Sequence, residues 1–374
     1  MIYLDSAATS LYKPECVQTA MLEAVRSMAS PGRGAHQAAM RAADCCYLCR
    51  ERLTELFHAP SPENVVFTCN ATHGLNIAIR SVARPGSRVL ISGYEHNSVT
   101  RPLHALGAKP VVIDTPLFAP DAFLREAERK MPSVDAVVCS HVSNVFGYIL
   151  PVERLAALCR RYGKPFVLDA SQSAGVLDID VQALDAQFVA MPGHKGLLGP
   201  QGTGVLLCKN DAIPLLYGGS GSESLLPTMP DFLPDRLEAG THNMPGIAGL
   251  SAAVQYVLER GCASIRAVEC ERMRQFADAL ERCGGLWLFR CTDERLQSAV
   301  LSVIPESGSC EALADALDKR GVAVRTGLHC APLAHRTAGT LQSGTVRFSF
   351  SPFNTRLQMT RAAELCKSAL HDFR

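Results

Sequence analysis

Between residues 60 and 210 the chain alternates short apolar, β-branched runs with longer stretches of helical periodicity. The runs are NVVFTC, RVLIS, PVVID, AVVCSHVSN, PFVLDASQ, QFVAMPG and GTGVLLC, and the alternation predicts an α/β unit built mainly from parallel strands. PVERLAALCRRYG links two of these runs. Pro151 falls at an early helical position, Leu155 and Leu158 share one face and Gly163 supplies a stop, so the segment is a βαβ crossover.

Residues 218–246 (GGSGSESLLPTMPDFLPDRLEAGTHNMPG) break the pattern. Rich in Gly, Pro, Ser and Thr, they predict a long loop, and long loops in compact enzymes are often functional. Helical periodicity then resumes through residue 283. LQSAVLSVIP, a helix near 310–320, GVAVRTG and GTVRFSFSPFN follow, and these predict a smaller α+β unit. The expected division is a large domain over 15–250 and a small one over 251–374, joined by the N-terminal segment 1–14. No internal repeat or low-complexity tract is present.

Composition narrows the function classes. A chain of 374 residues exceeds the size at which one hydrophobic core stops growing, which agrees with two units. A formal charge of +1, with no run of like charges, argues against nucleic acid or an anionic membrane as partner. MIYLDSAATS carries no secretory pattern and no run of eighteen apolar residues occurs, so a cytoplasmic protein is expected. There the fifteen cysteines would be reduced, most of them buried as small hydrophobes. Cys45, Cys46 and Cys49 contain a CxxC, but no second CxxC follows and the surroundings have helical periodicity, which favours a structural role.

In open α/β sheets ligands bind at the carboxyl ends of strands. Four such ends carry polar groups: Asn144; Asp169 with Gln172; His194 with Lys195; and Ala71 with Thr72. Singly, Asp169 suits a helix cap and Lys195 a solvated loop charge. Together, and with the glycines of HKGLLGPQGTG, they suit pyridoxal 5'-phosphate. That cofactor needs an amine to hold its aldehyde and a carboxylate to keep its ring nitrogen protonated.

Ten segments in order carry a resemblance over nearly the whole chain. They are YLDSAAT (3–9), PGRGAH (31–36), CNATHGLN (69–76), YEHNS (94–98), HVSNVFG (141–147), DASQ (169–172), GHKGLLGPQGTG (193–204), EAGTHN (238–243), RTGLHCA (325–331) and VRFSFSPFN (346–354). The chain resembles the fold-type I, class V aminotransferase-like enzymes, and among them the cysteine desulfurases and selenocysteine lyases.

The resemblance implies roles for particular residues. Lys195 matches the lysine that holds the cofactor aldehyde, Asp169 the partner of the ring nitrogen, and Gln172 and Asn144 the groups near the phenolic oxygen, with Asn144 expected to contact the substrate as well. His96 matches the histidine stacked on the ring and is expected to take part in proton transfer, which makes it a candidate catalytic residue with Lys195 and Cys330. His194, Thr72 and the Ala71 amide match the phosphate grip, where a helix N-terminus suits a dianion. Thr241 matches a residue given to the other subunit's phosphate site, which implies a homodimer.

Arg347 matches the arginine that pairs with the substrate α-carboxylate, Arg325 is expected to orient the cysteine loop or the substrate, and Cys330 matches the catalytic cysteine of the RxGxxCA group. The implied reaction converts L-cysteine to L-alanine, leaving the sulfur on Cys330 for an acceptor protein or small thiol. His329 or a nearby arginine would favour the thiolate. The alternatives are L-selenocysteine as substrate, an aminotransferase, or a non-catalytic cofactor-binding protein. The chain departs from the pattern at Pro192, where a Ser or Thr hydroxyl is usual, at Leu328 in place of a histidine, and at His242 in place of a proline.

Overall fold

The protein is described from a computed structural model covering residues 1–32, 34–209 and 212–372; Arg33, within PGRGAH, lies outside the described residues. All seven apolar runs become strands of one seven-stranded sheet. Its order is Val65–Thr68, Gly204–Cys208, Phe188–Pro192, Phe166–Asp169, Ala136–Ser140, Arg88–Ser92 and Lys109–Ile113. Six of them point the same way, and only Gly204–Cys208 is reversed, antiparallel to both its neighbours.

Successive side chains along each strand enter opposite cores, which is why the runs are apolar without alternation. Val65, Leu90, Val137, Leu168 and Val189 pack with Leu53, Phe123 and Leu155 on one face. On the other, Val66, Val89, Val138, Val167 and Ala190 pack with Leu75, Ile79 and Leu103. The crossover helix spans Val152–Arg161, so Pro151 is its N-cap and not an internal residue. With no N–H to contribute, proline fits just outside the first turn as well as inside it.

Met244–Arg260 and Cys262–Cys283 form two long helices after the predicted loop. Residue 251 falls within the first of them. Leu250 and Val254 both pack in the large core, whereas Cys270 and Met273 belong to the small one, so packing changes hands after Gly261. The smaller unit holds a four-stranded antiparallel sheet in the order Arg325–Gly327, Thr345–Ser349, Val300–Pro305 and Leu286–Phe289. Helices Cys262–Cys283, Cys310–Asp318 and Arg356–His371 pack on it.

GVAVRTG is divided between two sheets. Val322–Ala323 pairs in parallel with Ile2–Tyr3, and Arg325–Gly327 pairs with Thr345–Ser349. Leu4 is fully buried in the small core and its carbonyl accepts from Ser349 N at 2.8 Å. The N-terminal segment therefore ties the small unit to the edge of the large one, above the carboxyl ends of the long sheet's strands.

Candidate active site

At those strand ends lies a cavity of about 220 Å³. Its walls include Ala71, Thr72, His96, Asn144, Asp169, Gln172, His194, Lys195, Arg325 and Arg347. Ten of the residues singled out in the sequence thus converge from seven separate segments. Cys330 stands outside these walls as an exposed residue. Thr241 lies elsewhere, exposed in the long loop beside Phe67, His73 and Asn243.

Lys195 follows the strand Phe188–Pro192 and is half-buried in the cavity. Burial holds its amine down at about 8; the Asp169 charge opposes this, and Arg347 and Arg325 add to it. A lysine so depressed is partly neutral near physiological pH and therefore nucleophilic. Asp169 ends the neighbouring strand and is only 4 % exposed. Its Oδ1 accepts from Ser171 N at 2.9 Å, which fixes the carboxylate.

His96 caps the helix Asn97–Ala105, with Nδ1 accepting from Ser98 N at 3.0 Å. Burial pushes its ring down to about 4 against the pull of Asp169, with Lys195 and the two arginines adding to the drop. The ring is therefore neutral at physiological pH. Ser98 Oγ also lies 2.9 Å from His96 Nδ1 and 2.8 Å from Thr72 Oγ1, so the three side chains form one chain of contacts.

Helix Ala71–Val82 points its N-terminus into the cavity. Asn70 Oδ1 takes the His73 amide at 2.9 Å, and the amides of Ala71 and Thr72, in the first turn, have no partner within the helix. Gly204 allows this close approach, because a Cβ there would sit 2.7 Å from Asn70 Cα. His194, held at about 4 by burial with Lys195 and Lys13 adding, places Nδ1 3.1 Å from Thr9 Oγ1. Gln172 Nε2 donates to Ala7 O at 2.9 Å.

From the small unit, Arg347 and Arg325 face each other across adjacent strands. Arg347 is 1 % exposed; it donates to Asp5 Oδ1 at 2.7 Å and to Asn144 O at 2.9 Å, and its Nε is buried without a partner. A buried N–H with no acceptor suits an incoming carboxylate. Arg325 Nη2 lies 3.6 Å from Cys330 Sγ.

The Cys330 loop is fixed to the large unit at two points. Asn97 N donates to Cys330 O at 2.8 Å and Asn144 Nδ2 to His329 O at 2.8 Å. His329 and Cys330 both have left-handed backbone, with φ of 49° and 57°, a strained pair of the kind found at functional turns. His329 cannot favour a thiolate. Its ring is buried against Thr345, with Nε2 3.0 Å from Oγ1, and burial, with Arg347 and His335 adding, holds it neutral down to about 2. The adjacent cation is Arg325.

Sequence reasoning passed over Asp5, Ser98 and Glu95, each within a quoted segment but assigned no task. The signal was present for Ser98, which lies two residues past His96 at a helix start, the register of a cap contact. For Asp5 only a tertiary contact reveals the partner, and for Glu95 tertiary contacts add Ser140 to the nearby Ser92. Of the departures, His242 Nε2 contacts Glu238 Oε2 at 3.0 Å, and that carboxylate also holds Arg50 and the Phe67 amide, so the histidine fastens the long loop. Leu328 is exposed, and Pro192 ends its strand at the cavity wall. Nine of the fifteen cysteines are buried, Cys46 and Cys49 among them, and no cluster of metal-ligating side chains occurs among the described residues.

A depressed lysine, a buried carboxylate on the next strand, a neutral histidine and a helix N-terminus around one cavity define a site fit for pyridoxal phosphate on a fold-type I scaffold. The chain belongs to the class-V aminotransferase family, whose model matches residues 2–361. Members of that family are pyridoxal phosphate enzymes.

The chain is 32% identical to a probable cysteine desulfurase of Vibrio cholerae serotype O1, over 96% of this chain and 91% of that protein. It is 32% identical to another probable cysteine desulfurase, from Pyrococcus abyssi, over 95% and 90%. Among solved structures it resembles an apo cysteine desulfurase from Thermococcus onnurineus, with a TM-score of 0.90, 29% identity and coverage of 99% and 95%. An Escherichia coli cysteine desulfurase with an S-sulfonic acid gives 0.84 at 28%, over 100% and 95%.

Proposed function

We propose that the protein is a cysteine desulfurase that converts L-cysteine to L-alanine and takes the sulfur onto Cys330. The observation that carries this reading is the placement of Cys330. It rides a strained loop pinned at Asn97 and Asn144, with Arg325 against its sulfur, beside a cavity containing Lys195, Asp169 and Arg347.

Lys195 would hold the cofactor aldehyde and Asp169 its ring nitrogen, while His96 would lie against the ring and Gln172 and Asn144 would stand near the phenolic oxygen. The first-turn amides of Ala71 and Thr72, the Thr72 hydroxyl and His194 would grip the phosphate. The Ser98 hydroxyl, 2.8 Å from Thr72 Oγ1, would join them in place of the hydroxyl that Pro192 lacks. When bound, the cofactor supplies an electron sink for bonds broken at the substrate's Cα and Cβ.

Arg347 orients the substrate through its carboxylate, offering the Nε that has no protein partner. Lys195 takes the Cα proton, its amine being partly neutral near pH 8. The Cys330 thiolate, with the Arg325 guanidinium 3.6 Å from its sulfur, attacks the substrate sulfur. The new S–S bond forms as the Cβ–S bond breaks; a proton delivered to Cβ in place of the sulfur, and the proton that Lys195 gives back to Cα, complete alanine. A thiol, small or on a partner protein, then removes the outer sulfur, which the exposure of Cys330 permits.

Thr241, exposed and outside its own chain's cavity, would complete the phosphate site of a second copy, making the enzyme a homodimer. No helix among the described residues is long and apolar enough to cross a membrane. We place the protein in the cytoplasm, where its many thiols stay reduced.

The test measures alanine and sulfide from L-cysteine, and alanine and selenide from L-selenocysteine, with the wild type and Cys330→Ala. Loss of cysteine turnover in the variant, by a hundredfold or more, is the expected outcome. A variant that releases sulfide at the wild-type rate would falsify the persulfide route. Turnover of selenocysteine alone would make the protein a selenocysteine lyase, and amino transfer to a 2-oxo acid would make it an aminotransferase.

A further inference from the structure

One carboxyl with no task in the reaction lies directly beneath the site. Glu95 is fully buried between the ends of neighbouring sheet strands. Its Oε1 accepts from Ser92 Oγ at 2.5 Å and from Ser140 N at 2.9 Å, and its Oε2 from Ser140 Oγ at 2.7 Å. Ser92 and Ser140 are the last residues of their strands, so the carboxyl bridges two strand ends of the cavity floor. The turn that carries it has little room to shift. A Cβ at Gly93 would lie 2.6 Å from Thr337 Oγ1 and 2.9 Å from Ile113 O.

Three donors and, among the described residues, no paired cation make an unusual setting for a buried carboxyl, since burial without a counter-charge is costly. Burial pushes its titration up to about 7, the hydrogen bonds from Ser140 and Ser92 hold it down, and the Asp169 charge raises it further. The titratable groups around it are Cys139 on the adjacent strand, Asp169 on the next and His96 one residue along. Of its contacts, Ser140 lines the cavity and stands in register with Asp169. Glu95 therefore reaches the site along two routes, through Ser140 toward Asp169 and through the backbone into His96.

We propose that Glu95 is a positioning residue that places a second negative charge behind Asp169 and holds His96 and Ser140 at the site. It acts on the cofactor ring through these neighbours and touches no substrate. The inference rests on the reading in which Asp169 faces the ring nitrogen. A charged Glu95 adds to Asp169 in favouring a protonated, electron-accepting ring, and a neutral one withdraws that help.

The experiment follows the visible absorbance of the cofactor-loaded full chain as a function of pH, for the wild type, Glu95→Gln, Glu95→Asp and Asp169→Asn. Glu95→Gln keeps the shape and removes the charge. Its midpoint should fall by about one pH unit with the cofactor still bound. Glu95→Asp, which keeps the charge, should return the midpoint most of the way to the wild-type value.

An unchanged midpoint in Glu95→Gln, with Asp169→Asn shifted, overturns the proposal and leaves Glu95 a structural residue. If neither variant moves the midpoint, the assignment of Asp169 falls and this inference with it. Should Glu95→Gln fail to fold, Ser140→Ala removes the donor from Oε2 and disfavours the charged carboxyl. It should shift the midpoint in the same direction by a smaller amount, and no shift there overturns the proposal as well.

Discussion

Lowering the pH should weaken the packing behind the Cys330 loop, and His335 offers a way to measure it. His335 is fully buried; its ring stacks on that of His329 at 5.7 Å, and its Nδ1 lies 2.7 Å from Thr340 Oγ1. Burial holds its folded titration at about 4, against 6.5 for a free ring. The unfolded chain therefore takes up a proton near pH 6.5 that the folded chain refuses until about pH 4, and stability falls as the pH drops through that window. At pH 5, about 1.5 units below the unfolded value, the loss from this one ring is about 2 kcal/mol. His96, His141, His194 and His329 are depressed as well, so the wild type alone cannot isolate it. His335→Asn keeps a polar group near Thr340 and abolishes the titration. The assay is urea unfolding of both proteins at pH 7 and pH 5. Relative to the wild type, the variant should gain about 2 kcal/mol between the two pH values, whatever its cost at pH 7. An equal difference at both pH values would mean that His335 titrates alike folded and unfolded, and the account of the loop's support would fail.

Three further outcomes are expected. Arg325→Gln removes the cation 3.6 Å from Cys330 Sγ, and alkylation of Cys330 at pH 7, followed by mass spectrometry, should slow about three- to tenfold. Arg347→Lys loses the planar fork and the free Nε. Its kcat/KM for L-cysteine should fall about ten- to a hundredfold, mostly through KM, and a fall confined to kcat would assign Arg347 another task. Thr241→Ala should weaken cofactor affinity about tenfold in equilibrium dialysis if its hydroxyl completes a neighbour's phosphate site, and unchanged affinity would remove it from that role.

The seven strands and the crossover helix could be read from the sequence, because parallel strands buried on both faces leave uninterrupted apolar runs that local patterning reveals. The positions of Lys195, Asp169, His96 and Cys330 were legible too, as polar residues at strand ends or within motifs that carry a family resemblance. Patterning could not show that GVAVRTG divides between two sheets, since it reads as one continuous run and only the strands that pair with its two halves tell them apart. Nor could it separate His329 from Arg325 as the group beside the thiol. Both lie within five residues of Cys330, and the choice is made by the left-handed turn that sends the imidazole toward Thr345 and leaves the guanidinium at the sulfur. The Asp5–Arg347 pair joins positions 342 residues apart, and the placement of Glu95 under Asp169 depends on strand order. The sequence by itself determined which chemical groups were available and where along the chain they stood. Only the tertiary structure decided which of them share a desolvated space, and there burial and neighbouring charge set what each group does.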